Sequence, residues 1–133
     1  MEEKAVFKAA KDGDIAKIHT LLAAEPELVW ALDKQKSTPL HWAAYKGHPG
    51  AIEVLLDAGA EIDAQSENFT WGTTPLHAAA NGNHREAAAA LIRRGADINA
   101  LKADGSGSTP LNEARTQNSS SVARLLRESG ATD

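Results

Sequence analysis

A Thr-Pro-Leu triplet recurs along the chain at an almost constant interval, and no other feature of the sequence restricts the fold as strongly. The triplets begin at Thr38, Thr74 and Thr109, which are 36 and 35 residues apart. A degenerate copy of the surrounding motif occupies residues 4–13 and begins 34 residues before Thr38. Internal similarity at a period of about 20 to 50 residues is typical of solenoids, whose units stack on one another. The sequence therefore predicts four stacked units.

Each unit carries the residues of two consecutive helices. Threonine before proline favours a helix start, because the hydroxyl can accept from exposed first-turn amides and proline lacks an N–H that would need a partner. A second apolar segment follows, and in the second unit Ile52, Leu55 and Leu56 lie on one helical face. Residues that tolerate a left-handed backbone predict where the first helix of each unit ends, at Gly13, Gly47, Asn83 and Asn118.

These motifs resemble the ankyrin repeat, whose period is about 33 residues and whose signature is Thr-Pro-Leu-His-x-Ala. The signature histidine is present as His41 and His77 and is replaced by Asn112. The resemblance implies an all-α ankyrin-repeat solenoid of four helix–turn–helix repeats, with a projecting β-turn loop, here called a finger, before each triplet. The Leu28-Val29 stretch is similar to bacterial members of the family. We expect a single domain, 1–133, with repeats at approximately 3–34, 35–67, 68–104 and 105–133, the first and last being polar caps.

Composition narrows the functional class. The net charge of -4 argues against a nucleic-acid partner, because such proteins neutralise phosphates with clustered Lys and Arg. The absence of cysteine excludes disulfides, thiolate metal ligands and cysteine nucleophiles. The sequence shows neither the apolar segment of a signal peptide nor a run long enough to cross a membrane. We therefore expect a cytoplasmic, monomeric protein that binds neither nucleic acid nor membrane.

The histidines are the candidates for chemistry. His41 and His77 occupy equivalent places in adjacent units, so packed helices would hold them about 8–10 Å apart. That separation is too large for a shared zinc ion, whose ligands lie about 2 Å away. The resemblance implies instead that their ring nitrogens hold finger backbone. We therefore expect no catalytic residue, metal or cofactor, and the alternative is a metal- or small-molecule-dependent enzyme that uses His41, His77 or His84.

Two groups of residues predict where a partner binds. Phe69 and Trp71 lie in a lengthened finger with polar neighbours, and exposed aromatic residues commonly anchor interfaces. The alternative is that one or both fold back over the core edge. Lys34, Lys36 and Lys46 would form a basic patch that favours an acidic partner, unless they are merely solvated.

The resemblance implies that a partner protein meets the finger tips and the exposed ends of the first helices, which together form a concave face. The expected function is that of a protein–protein interaction module that acts as scaffold, adaptor or steric inhibitor rather than as an enzyme. The candidate partner-binding residues are Lys34, Gln35, Lys36, Ser37, Tyr45, Lys46, Phe69, Thr70, Trp71, Thr73, Asn81, Gly82, Ser106, Ser108, Thr116 and Gln117.

Overall fold

The helices of the computed structural model follow one another in antiparallel pairs, and successive pairs stack side by side in a single row. The structure describes residues 2–71 and 73–132, and within these ranges it contains no β-strand. The helices are α1 (Glu2–Asp12), α2 (Ile15–Ala24), α3 (Pro39–Lys46), α4 (Pro49–Asp57), α5 (Pro75–Asn81), α6 (Arg85–Arg93), α7 (Pro110–Thr116) and α8 (Ser120–Glu128), with a short 3-10 helix, Pro26–Trp30, after α2.

The Thr-Pro-Leu triplets begin helices α3, α5 and α7, as predicted. The hydroxyls of Thr38, Thr74 and Thr109 each accept a hydrogen bond from the backbone N–H three residues later, at 3.2–3.4 Å. Proline follows at the first helical position, where no intrahelical N–H bond is required. These caps fix the start of the first helix in three of the pairs.

The core is continuous because the helices form two layers. Helices α1, α3, α5 and α7 contact one another in order and form one layer, while α2, α4, α6 and α8 form the other. Burial of each large aliphatic side chain between the layers contributes about 1.5–3 kcal/mol. The fully buried Val, Leu and Ile residues are Val6, Ile18, Val29, Leu40, Ile52, Leu55, Leu76, Leu91, Leu111, Val122 and Leu126.

Adjacent pairs meet through a histidine that lies against a glycine. A Cβ atom added to Gly13 would come 2.6 Å from Nδ1 of His48, and one added to Gly47 would overlap the ring of His84. The Nε2 atom of His48 also lies 2.8 Å from the carbonyl oxygen of Lys11. Both glycines have a positive φ, 69° and 79°, and so end their helices in the left-handed conformation that the sequence predicted. Glycine is required here for conformation and for space.

Each finger closes through a backbone hydrogen bond at its base. The amides of Asp33, Ser66 and Lys102 donate to carbonyl oxygens of Ser37, Thr73 and Ser108, respectively. Lys36 takes the left-handed position in the first finger, with φ 60°, where the family resemblance expects glycine. The substitution therefore preserves a turn at the cost of some backbone strain.

The 3-10 helix and the residue that ends it were not predicted from the sequence. Trp30 is exposed, yet its indole Nε1 donates a 2.9 Å hydrogen bond to the carbonyl oxygen of Gly59 in the next helix pair. This bond ties the first helix pair to the second. In the described ranges, no helix has both the length and the apolar character needed to span a lipid bilayer.

Candidate functional site

Three aromatic side chains meet on the finger side of α3. Trp42 and Tyr45 are three residues apart on this helix and therefore share a face. Trp71 comes from the finger between α4 and α5 and stacks on Tyr45, with ring centroids 4.2 Å apart and planes inclined by 17°. It also meets Trp42 edge-on, at a centroid distance of 4.9 Å. We call Trp42, Tyr45 and Trp71 the aromatic platform.

The two aromatic residues of the lengthened finger behave differently. Trp71 is only 8% exposed, whereas Phe69 is 43% exposed. Of the two alternatives drawn from the sequence, folding back describes Trp71 and exposure describes Phe69. Trp71 folds back because Tyr45 and Trp42 offer it stacked and edge-to-face contacts, which are favourable geometries for aromatic rings. Its role is to support the half-buried rings of Trp42 and Tyr45 from behind.

Cations flank the aromatic platform. The Nζ atom of Lys11 lies 4.2 Å from the centroid of the Trp42 ring, and that of Lys46 lies 5.7 Å from the Tyr45 ring. Both contacts are within the range of cation–π attraction. Lys11 was absent from the basic patch predicted from the sequence. Lys36 was included, but its ammonium group pairs with Glu67 at 3.2 Å, so its charge is partly compensated.

A buried ion pair holds the lengthened finger to the next one. Lys102 and Glu113 approach to 3.3 Å, and their side chains are only 7% and 6% exposed. Lys102 also donates to the carbonyl oxygen of Phe69 at 2.8 Å, and Asn81 donates to the second carboxylate oxygen of Glu113 at 2.6 Å. Buried charges are tolerated when they are paired and hydrogen-bonded, and this network meets both conditions. We call these contacts the Lys102–Glu113 network.

Several residues predicted to bind a partner are buried or bonded to neighbouring side chains. Ser37 and Thr73 are fully buried, because each precedes the capping threonine of a helix and packs beneath its finger. Trp71 is buried in the aromatic platform, and the amide of Asn81 is engaged by Glu113. The other candidates are exposed or partly exposed: Lys34, Gln35, Lys36, Tyr45, Lys46, Phe69, Thr70, Gly82, Ser106, Ser108, Thr116 and Gln117.

His41 and His77 hold finger backbone, in agreement with what the family resemblance implied. The Nδ1 atom of His41 accepts from the Thr38 amide, so its Nε2 carries the proton and donates to the carbonyl oxygens of Ala64 and Thr73, each at 2.9 Å. Burial lowers the pKa of His41, against the opposing effect of these carbonyl contacts. His77 bonds in the same way to Ser108, and its pKa is also lowered by burial.

The ring nitrogens of both histidines are thus occupied by protein groups. Across residues 2–71 and 73–132, no three His, Asp or Glu side chains converge in a way that could hold a metal ion. The third histidine considered for chemistry, His84, lies against Gly47, and burial is the main cause that lowers its pKa. His41 and His77 therefore hold the bases of fingers, while His48 and His84 lie between adjacent helix pairs.

Stacked helix pairs with an open, aromatic-centred face define a helical repeat protein. The model for ankyrin repeats (3 copies) matches residues 1–66 and 63–133, which together span the sequence. The chain belongs to the ankyrin-repeat family.

Parts of the chain are similar to segments of much larger proteins. It is 43% identical over 62 residues to the probable E3 ubiquitin-protein ligase XBOS32 of Oryza sativa subsp. japonica, over 46% of this chain and 12% of that protein. It is 41% identical over 56 residues to the serine/threonine-protein kinase VIK of Arabidopsis thaliana, over 42% of this chain and 13% of the kinase. A transient receptor potential cation channel subfamily A member 1 homolog of Caenorhabditis elegans is 35% identical over 65 residues, 49% of this chain and 5% of the channel. The chain therefore matches only a small fraction of each relative.

Proposed function

We propose that this protein is an interaction module that binds a partner protein on its concave face, with the aromatic platform as the anchor. The observation that carries this proposal is the stacking of Trp71 behind Tyr45 and Trp42. The stack holds two half-buried rings in fixed positions before any partner arrives. A rigid aromatic surface loses little conformational entropy on binding, and aromatic residues dominate the energetics of many interfaces.

The charges around the platform support a partner segment that is apolar at its centre and acidic at its edges. Lys11 and Lys46 border the rings, and Lys34 is exposed on the preceding finger. This local positive charge contrasts with the chain's net charge of -4. Such a patch would steer acidic segments to the platform and disfavour basic ones.

The variety of the relatives supports a binding role rather than one shared reaction. Their names describe a ubiquitin ligase, a kinase and a cation channel, and the similarity to this chain is confined to short segments of each. Fold alone does not define a function, but a surface shared among proteins of unrelated activity fits recognition. We propose that this protein acts as scaffold, adaptor or steric inhibitor and has no catalytic activity of its own.

Affinity capture from the source cell with two charge-reversal variants tests the proposal. Lys11→Glu with Lys46→Glu changes the border of the platform, and both side chains are exposed. Lys17→Glu with Arg93→Glu makes the same change in charge on helices of the other layer. We expect the first variant to lose most of the captured partner and the second to retain it, while circular dichroism shows both folded. Equal capture of the partner by the two variants would contradict binding at the aromatic platform on the concave face.

A further inference from the structure

An exposed apolar pair lies on the segment that leads from the first helix pair into the first finger. Trp30 and Leu32 are 54% and 55% exposed, and both line an open groove of about 720 Å³ together with the buried Leu28 and Ala31. A single exposed apolar side chain is ordinary on a protein surface, but two that line the same concavity indicate a site of interaction. We call this surface the Trp30 groove.

The ring of Trp30 is held in place by the next helix pair. Its Nε1 atom donates the 2.9 Å hydrogen bond to the carbonyl oxygen of Gly59, and a Cβ atom added to Gly59 would lie 3.6 Å from Cζ2 of the ring. Because the indole N–H already has its acceptor, a partner that covers the ring does not have to remove water from an unbonded polar group. The exposed part of Trp30 is therefore a preorganised apolar contact.

Glutamates line the remainder of the Trp30 groove. They are Glu2 and Glu3 at the start of α1, Glu25 at the end of α2, and Glu27 in the 3-10 helix. Their carboxylates form no ion pair with any Lys, Arg or His side chain of residues 2–71 and 73–132. Among the described residues that line the groove, none is basic. The apolar pair is therefore bordered by negative charge alone.

The helices account for only part of this negative charge. The dipole of α1 favours carboxylates in its first turn, where Glu2 and Glu3 lie. Glu25 is placed in the opposite way, because it follows the last residue of α2, where the helix dipole is negative and favours cations. A lysine or arginine from a partner would neutralise Glu25 and the end of α2 together.

Basic side chains line the neighbouring surfaces and limit where a basic segment fits. Lys4 and Lys34 line an adjacent groove that shares Leu32, and Lys36 lines a further one that shares Trp30. These lysines would repel a basic segment that extended along the first finger. Such a segment would therefore lie toward α2 and the 3-10 helix.

We propose that the Trp30 groove binds a segment of a partner protein that carries both apolar and basic side chains. The apolar side chains cover Trp30 and Leu32, and the lysines or arginines lie beside Glu25 and Glu27. Charge complementarity favours this occupant, because the unpaired carboxylates attract a basic segment and disfavour an acidic one. A second copy of the chain, with its net charge of -4, fits less well.

This proposal is independent of the aromatic platform. The two surfaces share no residue, and the cations beside the platform favour a partner of the opposite charge. Loss of binding at one surface therefore leaves the other unaffected.

Titration of the intact chain with a short peptide in which leucine alternates with lysine tests the groove. Shifts in nuclear magnetic resonance spectra should concentrate on the amides of residues 25–32 and on the indole N–H of Trp30. Glu25→Gln with Glu27→Gln should weaken binding by at least about threefold, since each exposed ion pair contributes modestly. Asp12→Asn with Glu86→Gln removes the same charge at exposed positions outside the groove and should change the affinity by less than about 1.5-fold.

A pair of leucine variants tests the apolar contact. Leu32→Ala should weaken binding of the peptide by about fivefold, because part of the buried apolar area is lost. Leu101 is 58% exposed just before the third finger and does not line the groove, so Leu101→Ala should leave the affinity unchanged. Circular dichroism should show both variants folded, because both positions are exposed.

Four outcomes would overturn the proposal. Equal weakening by the two acidic double variants would mean that only the overall charge matters. Unchanged affinity in Leu32→Ala, or equal binding of a peptide with serine in place of leucine, would exclude the apolar contact. Equal binding of a peptide with glutamate in place of lysine would exclude recognition of basic groups. Self-association that Leu32→Ala abolishes, measured by analytical ultracentrifugation and without binding of the basic peptide, would assign the groove to a second copy of the chain.

Discussion

His41 shows how one neutral side chain can hold two loops at once. It must remain unprotonated at Nδ1 to accept from Thr38, and burial lowers its pKa below the ordinary value of 6.5. The unfolded chain therefore binds more protons than the folded one at mildly acidic pH. The stability that His41 and His77 contribute is complete above pH 6.5 and is lost as the pH falls through their lower folded pKa values.

We accordingly expect the free energy of unfolding to decrease when the pH is lowered from about 7.5 to about 5, the range in which histidine titrates. Urea denaturation at both values measures this change. His41→Asn should show a smaller dependence on pH than the parent protein, whatever its absolute stability. His19→Asn, at an exposed position, serves as the control and should keep the parental dependence. An unchanged dependence in His41→Asn would contradict the assignment.

The Lys102–Glu113 network predicts strong coupling between its two charges. Lys102→Met would leave the Glu113 carboxylate buried without its cation, which typically costs about 3–5 kcal/mol. Adding Glu113→Leu removes the uncompensated charge, so the double variant should lose far less than the sum of the single variants. Denaturant unfolding of the four proteins in the cycle gives the coupling energy. Additive losses would show that the two charges act independently.

An exposed pair provides the comparison for this cycle. Lys8 and Asp12 lie 2.9 Å apart on α1, and both side chains are largely exposed. Lys8→Met should leave the stability essentially unchanged, because solvent screens exposed pairs. A large loss there would indicate that burial is not what distinguishes the Lys102–Glu113 network.

The sequence predicts that His41 and His77 hold finger backbone, but it does not predict the buried pair of Lys102 and Glu113. His41 and His77 stand at fixed places in a repeated motif, so the family resemblance supplies their role. Lys102 and Glu113 lie in a finger and a helix where charged residues are usually solvated. Their burial depends on how the lengthened finger folds across them, which no local pattern encodes. Asn112 departs visibly from the repeat motif, but nothing in the sequence around Glu113, the next residue, indicates that its carboxylate is buried.

At the scale of single elements, the finger between α4 and α5 owes its shape to contacts at both ends. Trp71 stacks on Tyr45 from the preceding pair, while Lys102 from the following finger donates to the Phe69 carbonyl oxygen. The sequence indicates that this finger is long and contains two aromatics. Which of them turns inward depends on the neighbouring helix α3, so sequence left both alternatives open. Helix starts were easier to predict because capping is local.

Truncating Trp71 and Phe69 in turn distinguishes the buried supporting ring from the exposed one. Trp71→Ala should reduce the free energy of unfolding by about 3–5 kcal/mol, as is usual when a large buried aromatic is removed. Phe69→Ala in the same finger should cost less than about 1 kcal/mol, because exposed positions contribute little. Denaturant unfolding measures the losses, and near-ultraviolet circular dichroism should lose the platform's signal in Trp71→Ala alone. Similar losses for both variants would contradict the different burial of the two rings.

Across the whole molecule, each helix pair is stabilised mainly by its neighbours. Pairs α3–α4 and α5–α6 are packed on both sides, whereas α1–α2 and α7–α8 contact a neighbouring pair of the described chain on one side only. In such an array, stability is roughly the sum of terms within pairs and between adjacent pairs. The period of the motif was enough to predict this stacking.

Hydrogen exchange should therefore vary along the solenoid. We expect backbone amides in α3 to α6 to exchange more slowly than those in α1 and α8, because opening an end pair breaks one interface and opening an inner pair breaks two. Mass spectrometry of peptides covering each helix gives the comparison under native conditions. Uniform protection from α1 to α8 would instead indicate that the chain opens only as a single cooperative unit.

The histidine-on-glycine contact also bears on how such a chain can lengthen. Residues 35–67 carry both halves of it, since His48 meets Gly13 before it and Gly47 meets His84 after it. Two tandem copies of this segment would place one copy's His48 on the other's Gly47 and so recreate the contact at the new joint. At the last joint Asn83 and Ser119 stand at these positions, so a copied final pair would lack the match. In-frame duplication of this segment can therefore extend the array from the middle, because the new interface would need no further substitution to form the histidine–glycine contact.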